Sequence, residues 1–256
     1  MAKTYIVGNW KMNLNVGESS IYLHKLLKRL KIARGVEVII APTTIALQPL
    51  SLQIDRKRLK LAAQNFYYQD FGAYTGETSI SALKGIADYA IVGHSERRYI
   101  FKETDKDINK KVAAAIRNNI TPILCIGETE SEKIFGETKD VLRDQLIGGL
   151  SEVSVEDLKK VIIAYEPVWA ISSTKGARLA APDDIAASVN IIREQLKALY
   201  GKAAEGIPLL YGGSVNPSNA GAYLTIPGVN GLLIGGSSLI ADHFIDIIDL
   251  AKRVVR

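Results

Sequence analysis

Tyr89-Ala90-Ile91-Val92-Gly93-His94-Ser95-Glu96-Arg97-Arg98 changes character in the middle: a short apolar run ends at a glycine and gives way to histidine, serine and charge. An apolar run without alternation suits a strand buried on both faces, the kind found in parallel sheets covered by helices. The glycine and the polar residues after it read as a turn into a short helix. The same unit recurs on either side. Strand candidates begin near Thr4, Val36, Leu59, Tyr89, Thr121, Val161, Pro208 and Gly231. Between them lie segments of helical period, including Glu18 to Lys31, Thr44 to Ile54, Asp105 to Asn118, Thr138 to Leu150, Pro182 to Leu199 and Leu239 to Arg253.

In the first of these helices the apolar stripe reads Ile21, Leu23, Leu26, Leu27 and Leu30, with Lys25, Lys28, Arg29 and Lys31 mostly outside it. Pro182 followed by Asp183 and Asp184 reads as a helix start, because proline fits the first turn and carboxylates there oppose the dipole. Alternating strands and helices over 256 residues fit either a (β/α)₈ barrel or a doubly wound open sheet. The barrel is favoured because glycine and polar residues fall at the ends of many strands, as its C-terminal face requires, and no strand is followed by G-x-G-x-x-G. The expectation is one barrel domain over residues 1–256.

Composition narrows the classes. Hydrophobic residues make up 47% and charged residues of both signs 23%, a globular profile. The formal charge is +5, yet no run of Lys and Arg resembles a nucleic-acid arm, and Lys57, Arg58 and Lys60 read as a solvated face. The basic balance suits a small anionic substrate. Cys125 is the only cysteine, so no internal disulfide and no thiolate zinc site can form. Met1-Ala2-Lys3-Thr4 leads directly into an apolar strand with no long signal-like stretch, and no uncharged segment is long enough for a membrane. A reducing, cytoplasmic setting with no membrane and no nucleic-acid partner is expected.

The chemistry-bearing residues cluster at strand ends. Lys11 follows the first strand with Asn9 two residues before it, on the same side by a strand's period of two; alone, such a lysine is a snorkelling surface residue. His94 falls at a helix N-terminus, where the dipole favours neutral imidazole, which can donate to a substrate oxygen. His24 and His243 sit in helical surface patterns. Glu166 ends the sixth strand in Ala164-Tyr165-Glu166-Pro167-Val168-Trp169-Ala170-Ile171, beside a proline that restricts the backbone. It reads either as a base desolvated by Trp169 and Ile171 or as a strand-end carboxylate paired with a lysine. Two glycine-serine turns, Tyr211-Gly212-Gly213-Ser214 and Gly235-Gly236-Ser237, follow the seventh and eighth strands, where barrels bind phosphate. The second opens into the last helix.

Together these segments resemble the triosephosphate isomerase family over essentially the whole chain: GNWKMN at 8–13, AQN at 63–65, TGE at 75–77, GHSERR at 93–98, CIGE at 125–128, YEPVWAI at 165–171, YGGS at 211–214 and GG at 235–236. The resemblance implies Glu166 as the base and His94 as neutral electrophile, with Lys11 and Asn9 stabilising developing negative charge and Glu96 orienting the lysine. It implies that Ser95 holds Glu166 in an open state and that Ile171 and Leu233 form an apolar lid, with Trp169 and Tyr211 in support. Backbone N–H groups of Ser172, Ser214, Gly235 and Gly236 would hold the substrate's phosphate. No metal or organic cofactor is implied. A homodimer is, through a loop at Gln69–Glu77 that sets Thr75 against the partner's site and Glu77 against an Arg97 across the interface.

The chain departs from the family after Ile171. Ser172-Ser173-Thr174-Lys175 stands where Gly-Thr-Gly-Lys is usual, and a longer segment precedes Pro182. Serine and threonine lack glycine's freedom at positive φ, so altered closing kinetics are expected of this lid. Rival readings are another phosphate-binding barrel enzyme, which would need different rim residues, and an impaired paralogue that only binds phosphorylated metabolites.

Overall fold

Eight short runs rich in Val, Ile, Leu and Ala become eight parallel strands in the computed structural model, which describes residues 3–31, 34–171 and 178–254. They are β1 (Thr4–Asn9), β2 (Val36–Ala41), β3 (Lys60–Ala63), β4 (Tyr89–Val92), β5 (Thr121–Ile126), β6 (Ile162–Tyr165), β7 (Leu209–Tyr211) and β8 (Gly231–Ile234). Each pairs with the next in sequence, and β8 returns to β1 with Tyr5 opposite Gly231 and Gly8 opposite Ile234. That last pairing closes the barrel and removes the open-sheet alternative. Gly231 is required there: its φ is +154°, and a Cβ would overlap the backbone of Tyr5. β3, β6 and β7 each begin one residue later than the sequence pattern suggests.

The helices are α1 (Val16–Arg29), α2 (Thr44–Ser51), α3 (Ser95–Tyr99), α4 (Asp105–Arg117), α5 (Glu130–Ile134), α6 (Thr138–Leu150), α7 (Pro182–Tyr200), α8 (Ala220–Leu224) and α9 (Ala241–Val254). α1 starts two residues before Glu18, because Asn15 and Glu18 form a capping box, each side chain accepting the other's backbone N–H. Its buried stripe is Ser19, Tyr22, Leu23 and Leu26, while Ile21, assigned inward by spacing, is 61% exposed. α7 opens on Pro182, and Ala181 indeed offers no side-chain cap. The glycine-serine turn after β8 does not enter α9 directly: the Ser238 N–H and hydroxyl both donate to the Gly235 carbonyl, making a 3₁₀ turn over Gly236–Leu239 first. α5 and α8, at five residues each, are too short to carry a periodic signal.

Period two divides the core into two layers. Ile6, Ala90, Leu124, Ile163, Leu209 and Leu232 face the helices, while Val7, Ile91, Ile123, Cys125, Ala164, Leu210 and Leu233 fill the barrel. The inward phase carried to and past the strand ends reads Asn9, Thr43, Gln64, Gly93, Gly127, Glu166, Gly212 and Gly235. One carboxylate thus stands at the rim, flanked on β5, β7 and β8 by glycines.

Candidate active site

Asn9, the last residue of β1, is 6% exposed, and the chain turns sharply after it. Lys11 has φ +53°, a left-handed conformation that costs a non-glycine residue on the order of 1 kcal/mol. Three contacts hold it there. The Lys11 N–H donates to Asn9 Oδ1 at 3.1 Å, Gln64 Nε2 donates at 2.8 Å to both the Lys11 and Ala41 carbonyls, and Nζ meets Glu96 Oε1 at 2.6 Å. The strand period therefore does not aim Lys11; a clamped turn does. Its stem passes the β8 glycine turn, with Cε 3.6 Å from the point a Cβ on Gly235 would occupy.

His94 caps α3. Its Nδ1 accepts the Glu96 N–H at 3.2 Å, which leaves Nε2 as the donor nitrogen facing the site. Nε2 lies 3.2 Å from Glu166 Oε1, and Glu166 Oε2 accepts the Ser95 N–H at 3.4 Å. Histidine and glutamate are 5% and 3% exposed, so this contact lies out of bulk water. His24 and His243 are exposed on helices. The Cys125 thiol is fully buried beside the same carboxylate, and burial first, then Glu166, pushes its pKa up.

Trp169 is anchored to Glu128. Its Nε1 donates to Glu128 Oε1 at 2.8 Å, and the Tyr165 hydroxyl donates to the same carboxylate at 3.1 Å. Lys133 and Arg178 cover the Trp169 ring at 4.0 and 5.0 Å from its centroid. Glu128 is 1% exposed; burial raises its pKa, and the bonds from Trp169 and Tyr165 oppose that shift. Glu128 lies within the CIGE motif, whose sequence assigns it no role. The same holds for Gln64 in AQN and for Arg98 in GHSERR, which donates to Gly93 and Cys125 carbonyls across the ends of β4 and β5. These side chains serve the backbone of residues far away in sequence, which no local pattern encodes.

The two glycine-serine turns lie side by side, joined by the Ser237 hydroxyl donating to the Val215 carbonyl at 2.8 Å. The Ser214 N–H, expected on a phosphate, donates instead to the Ala170 carbonyl at 2.9 Å, as does its hydroxyl at 2.8 Å. Gly236 has open space where a Cβ would lie. Tyr211 is buried against Tyr223 with ring centroids 4.7 Å apart, and burial pushes its hydroxyl pKa up. Leu233 and Ile171 are 3% and 6% exposed, with Leu233 flanking the space between Gly212 and Glu166. Ser172 and the rest of 172–177 lie outside the described residues.

Residues 71–77 are all exposed, Phe71 by 89%, and Met12 and Phe101 near the rim are exposed by 94% and 63%. Thr75 and Glu77 stand on this loop. Arg97, assigned by resemblance to a partner's glutamate, pairs with Glu103 within the chain and stacks on Phe101 at 4.8 Å. Glu103 also takes the buried Lys111 ammonium. Among the described residues no cluster of three acidic, histidine or cysteine side chains could hold a metal, and no helix is long and apolar enough to cross a membrane.

The family model described as triosephosphate isomerase matches residues 4–251. Curated relatives with that name include one from Streptococcus mutans, 39% identical over 252 residues with 98% of this chain and 99% of the other covered. Another, from Chloroherpeton thalassium, is 42% identical over 255 residues, with 98% and 100% covered. Among solved structures, the triosephosphate isomerase of Bartonella henselae superposes with a TM-score of 0.86 at 37% identity, covering 97% of this chain and 98% of that one.

Proposed function

We propose that this chain, which belongs to the triosephosphate isomerase family, interconverts dihydroxyacetone phosphate and D-glyceraldehyde 3-phosphate through an enediolate. The observation that carries the reading is the convergence of Glu166, His94 and Lys11 on one rim, with the carboxylate buried and 3.2 Å from the imidazole. Glu166 removes a proton from the carbon next to the ketone, and the C–H electron pair becomes the C=C bond of the enediolate. The carbonyl oxygen takes the negative charge, where His94 Nε2–H and the Lys11 ammonium stabilise it with Asn9 in support. The hydroxyl of the first carbon gives its proton to the charged oxygen by way of His94, whose Nε2 donates to one oxygen and takes from the other, and as the first carbon's C–O bond becomes C=O the protonated Glu166 returns its proton to the neighbouring carbon. To reach the substrate the carboxylate leaves His94 and Ser95, so Ser95 acts as the resting partner of the base.

Backbone N–H groups of Ser172, Ser214, Gly235 and Gly236 hold the phosphate. Because the Ser214 N–H is given to Ala170, substrate binding has to release that bond, which links phosphate recognition to the segment that begins at Ala170. Ile171 and Leu233 exclude water from the base, while Glu128 anchors the segment through Trp169. The chemistry needs a base, an electrophile and a dry site, and no metal or cofactor. The chain works as a single domain over 1–256 and as a cytoplasmic homodimer. The exposed loop with Phe71 and Tyr74 supports that assembly, with Thr75 reaching the partner and Glu77 joining the Arg97 and Glu103 network across the interface.

A coupled assay on the wild type and Glu166→Gln tests the reading. We expect activity in the wild type and a loss of about 10² to 10⁴ in the variant, the usual worth of a positioned general base. An inactive wild type that still binds both triose phosphates would favour the impaired-paralogue reading.

A further inference from the structure

We infer that Gln145, on the outward-packed helix α6, is a positioning residue that fixes the backbone under Glu166; this rests on the reading of Glu166 as the base. The argument starts where β5 ends. The Ile126 carbonyl accepts the Glu166 N–H at 2.7 Å, and Ile126 and Tyr165 are the last paired residues of β5 and β6. Beyond them Gly127 must satisfy its buried N–H and carbonyl without a strand partner. Gln145 supplies both: its Oε1 accepts the Gly127 N–H at 2.8 Å, and its Nε2 donates to the Gly127 carbonyl at 3.1 Å. The side chain is 8% exposed, and among uncharged groups of its length only a carboxamide offers a donor and an acceptor together.

That one peptide bears directly on the base. A Cβ on Gly127 would overlap the Glu166 carbonyl oxygen, although the φ of Gly127 is not in the left-handed region, so close approach alone demands the glycine. The next residue, Glu128, takes the Val168 N–H on its carbonyl at 3.0 Å and the Trp169 Nε1 on its carboxylate. Turning the Gly127 peptide therefore shifts the backbone of Glu166 and the two residues that lead away from it. Gln145 ties that peptide to α6, which packs against α4 and α7 and does not belong to the rim.

A residue that served only stability would lower the melting temperature and leave turnover of the folded enzyme intact. For Gln145→Met, of equal length but without polar atoms, we expect a folded protein whose KM stays within about twofold while kcat falls about ten- to a hundredfold, the range for a base displaced by up to about 1 Å. In a Glu166→Asp background, where the carboxylate is already withdrawn, the same change should cost less than about threefold, because the two act through one placement. Gln145→Glu keeps the acceptor and loses the donor, and its kcat should also fall. A folded Gln145→Met or Gln145→Glu with wild-type kcat overturns the inference, as does a full multiplicative loss in the Glu166→Asp background. Failure of both single variants to fold overturns it too, because Gln145 is then a stability residue. Wild-type inactivity would instead sink the reading of Glu166 itself.

Discussion

Glycine at position 212 makes a sharp test at the scale of single residues. A Cβ there would lie 2.8 Å from Glu166 Cγ, a distance real side chains do not keep, so the carboxylate stem must move. Gly212→Ala should therefore fold and lose about 10² in kcat, with KM changed far less, as read in the same coupled assay. Lys11→Met removes a cation whose place is fixed at its N–H, carbonyl and ammonium, and should cost about 10² to 10³ in kcat/KM. The residue types at 11, 94 and 166 were legible because each carries its chemistry in its own side chain at a strand end. Gln64, Arg98 and Gln145 were not, since each acts on a peptide 18 to 53 residues away. The partner of Trp169 was hidden for a related reason: its indole N–H requires an acceptor when buried, and Glu128 supplies it from another strand end.

At the scale of elements, α4 rests on a capping box in which Thr104 and Asp107 serve each other's N–H. Thr104→Ala should destabilise the protein by about 1 kcal/mol at neutral pH, seen in denaturant unfolding. The pH dependence has a definite sign. The Thr104 hydroxyl, bonded to the Asp107 carboxylate at 2.6 Å, holds its pKa below the usual aspartate value, against the opposing pull of burial. That contribution is full above the unfolded-state pKa and fades as pH falls through the folded one, so the gap between wild type and Thr104→Ala should narrow below about pH 4. A gap that widens in acid would contradict this. The start of α7 was readable because proline in the first turn is a local signal, whereas α1 starts two residues before the periodic stripe because Asn15 caps it. For the serine- and threonine-bearing segment after Ile171 we expect closing with altered kinetics, measured as loop relaxation with and without a substrate analogue. A segment left open at saturation would refute that.

For the whole molecule, closure of β8 on β1 brings the Gly235 turn beside Lys11, residues more than two hundred positions apart in the chain. Alternation along the sequence could not distinguish this from an open sheet; the distribution of glycine and polar residues at strand ends did, because only a closed barrel gathers all of those ends on one rim. The proposed dimer contact is tested on the exposed loop. Tyr74→Ala should weaken self-association by about 2 kcal/mol, roughly thirtyfold in the dissociation constant by sedimentation, if the aromatic is an interface anchor. An unchanged constant would remove this loop from the contact.

The most direct test of the central claim is deuterium incorporation during turnover in heavy water. Starting from dihydroxyacetone phosphate, the wild type should deliver solvent label to C2 of glyceraldehyde 3-phosphate, because the proton held on Glu166 exchanges before it is returned. Glu166→Gln should slow both conversion and labelling by about 10² or more. Labelling by Glu166→Gln at the wild-type rate would show that another group moves the proton.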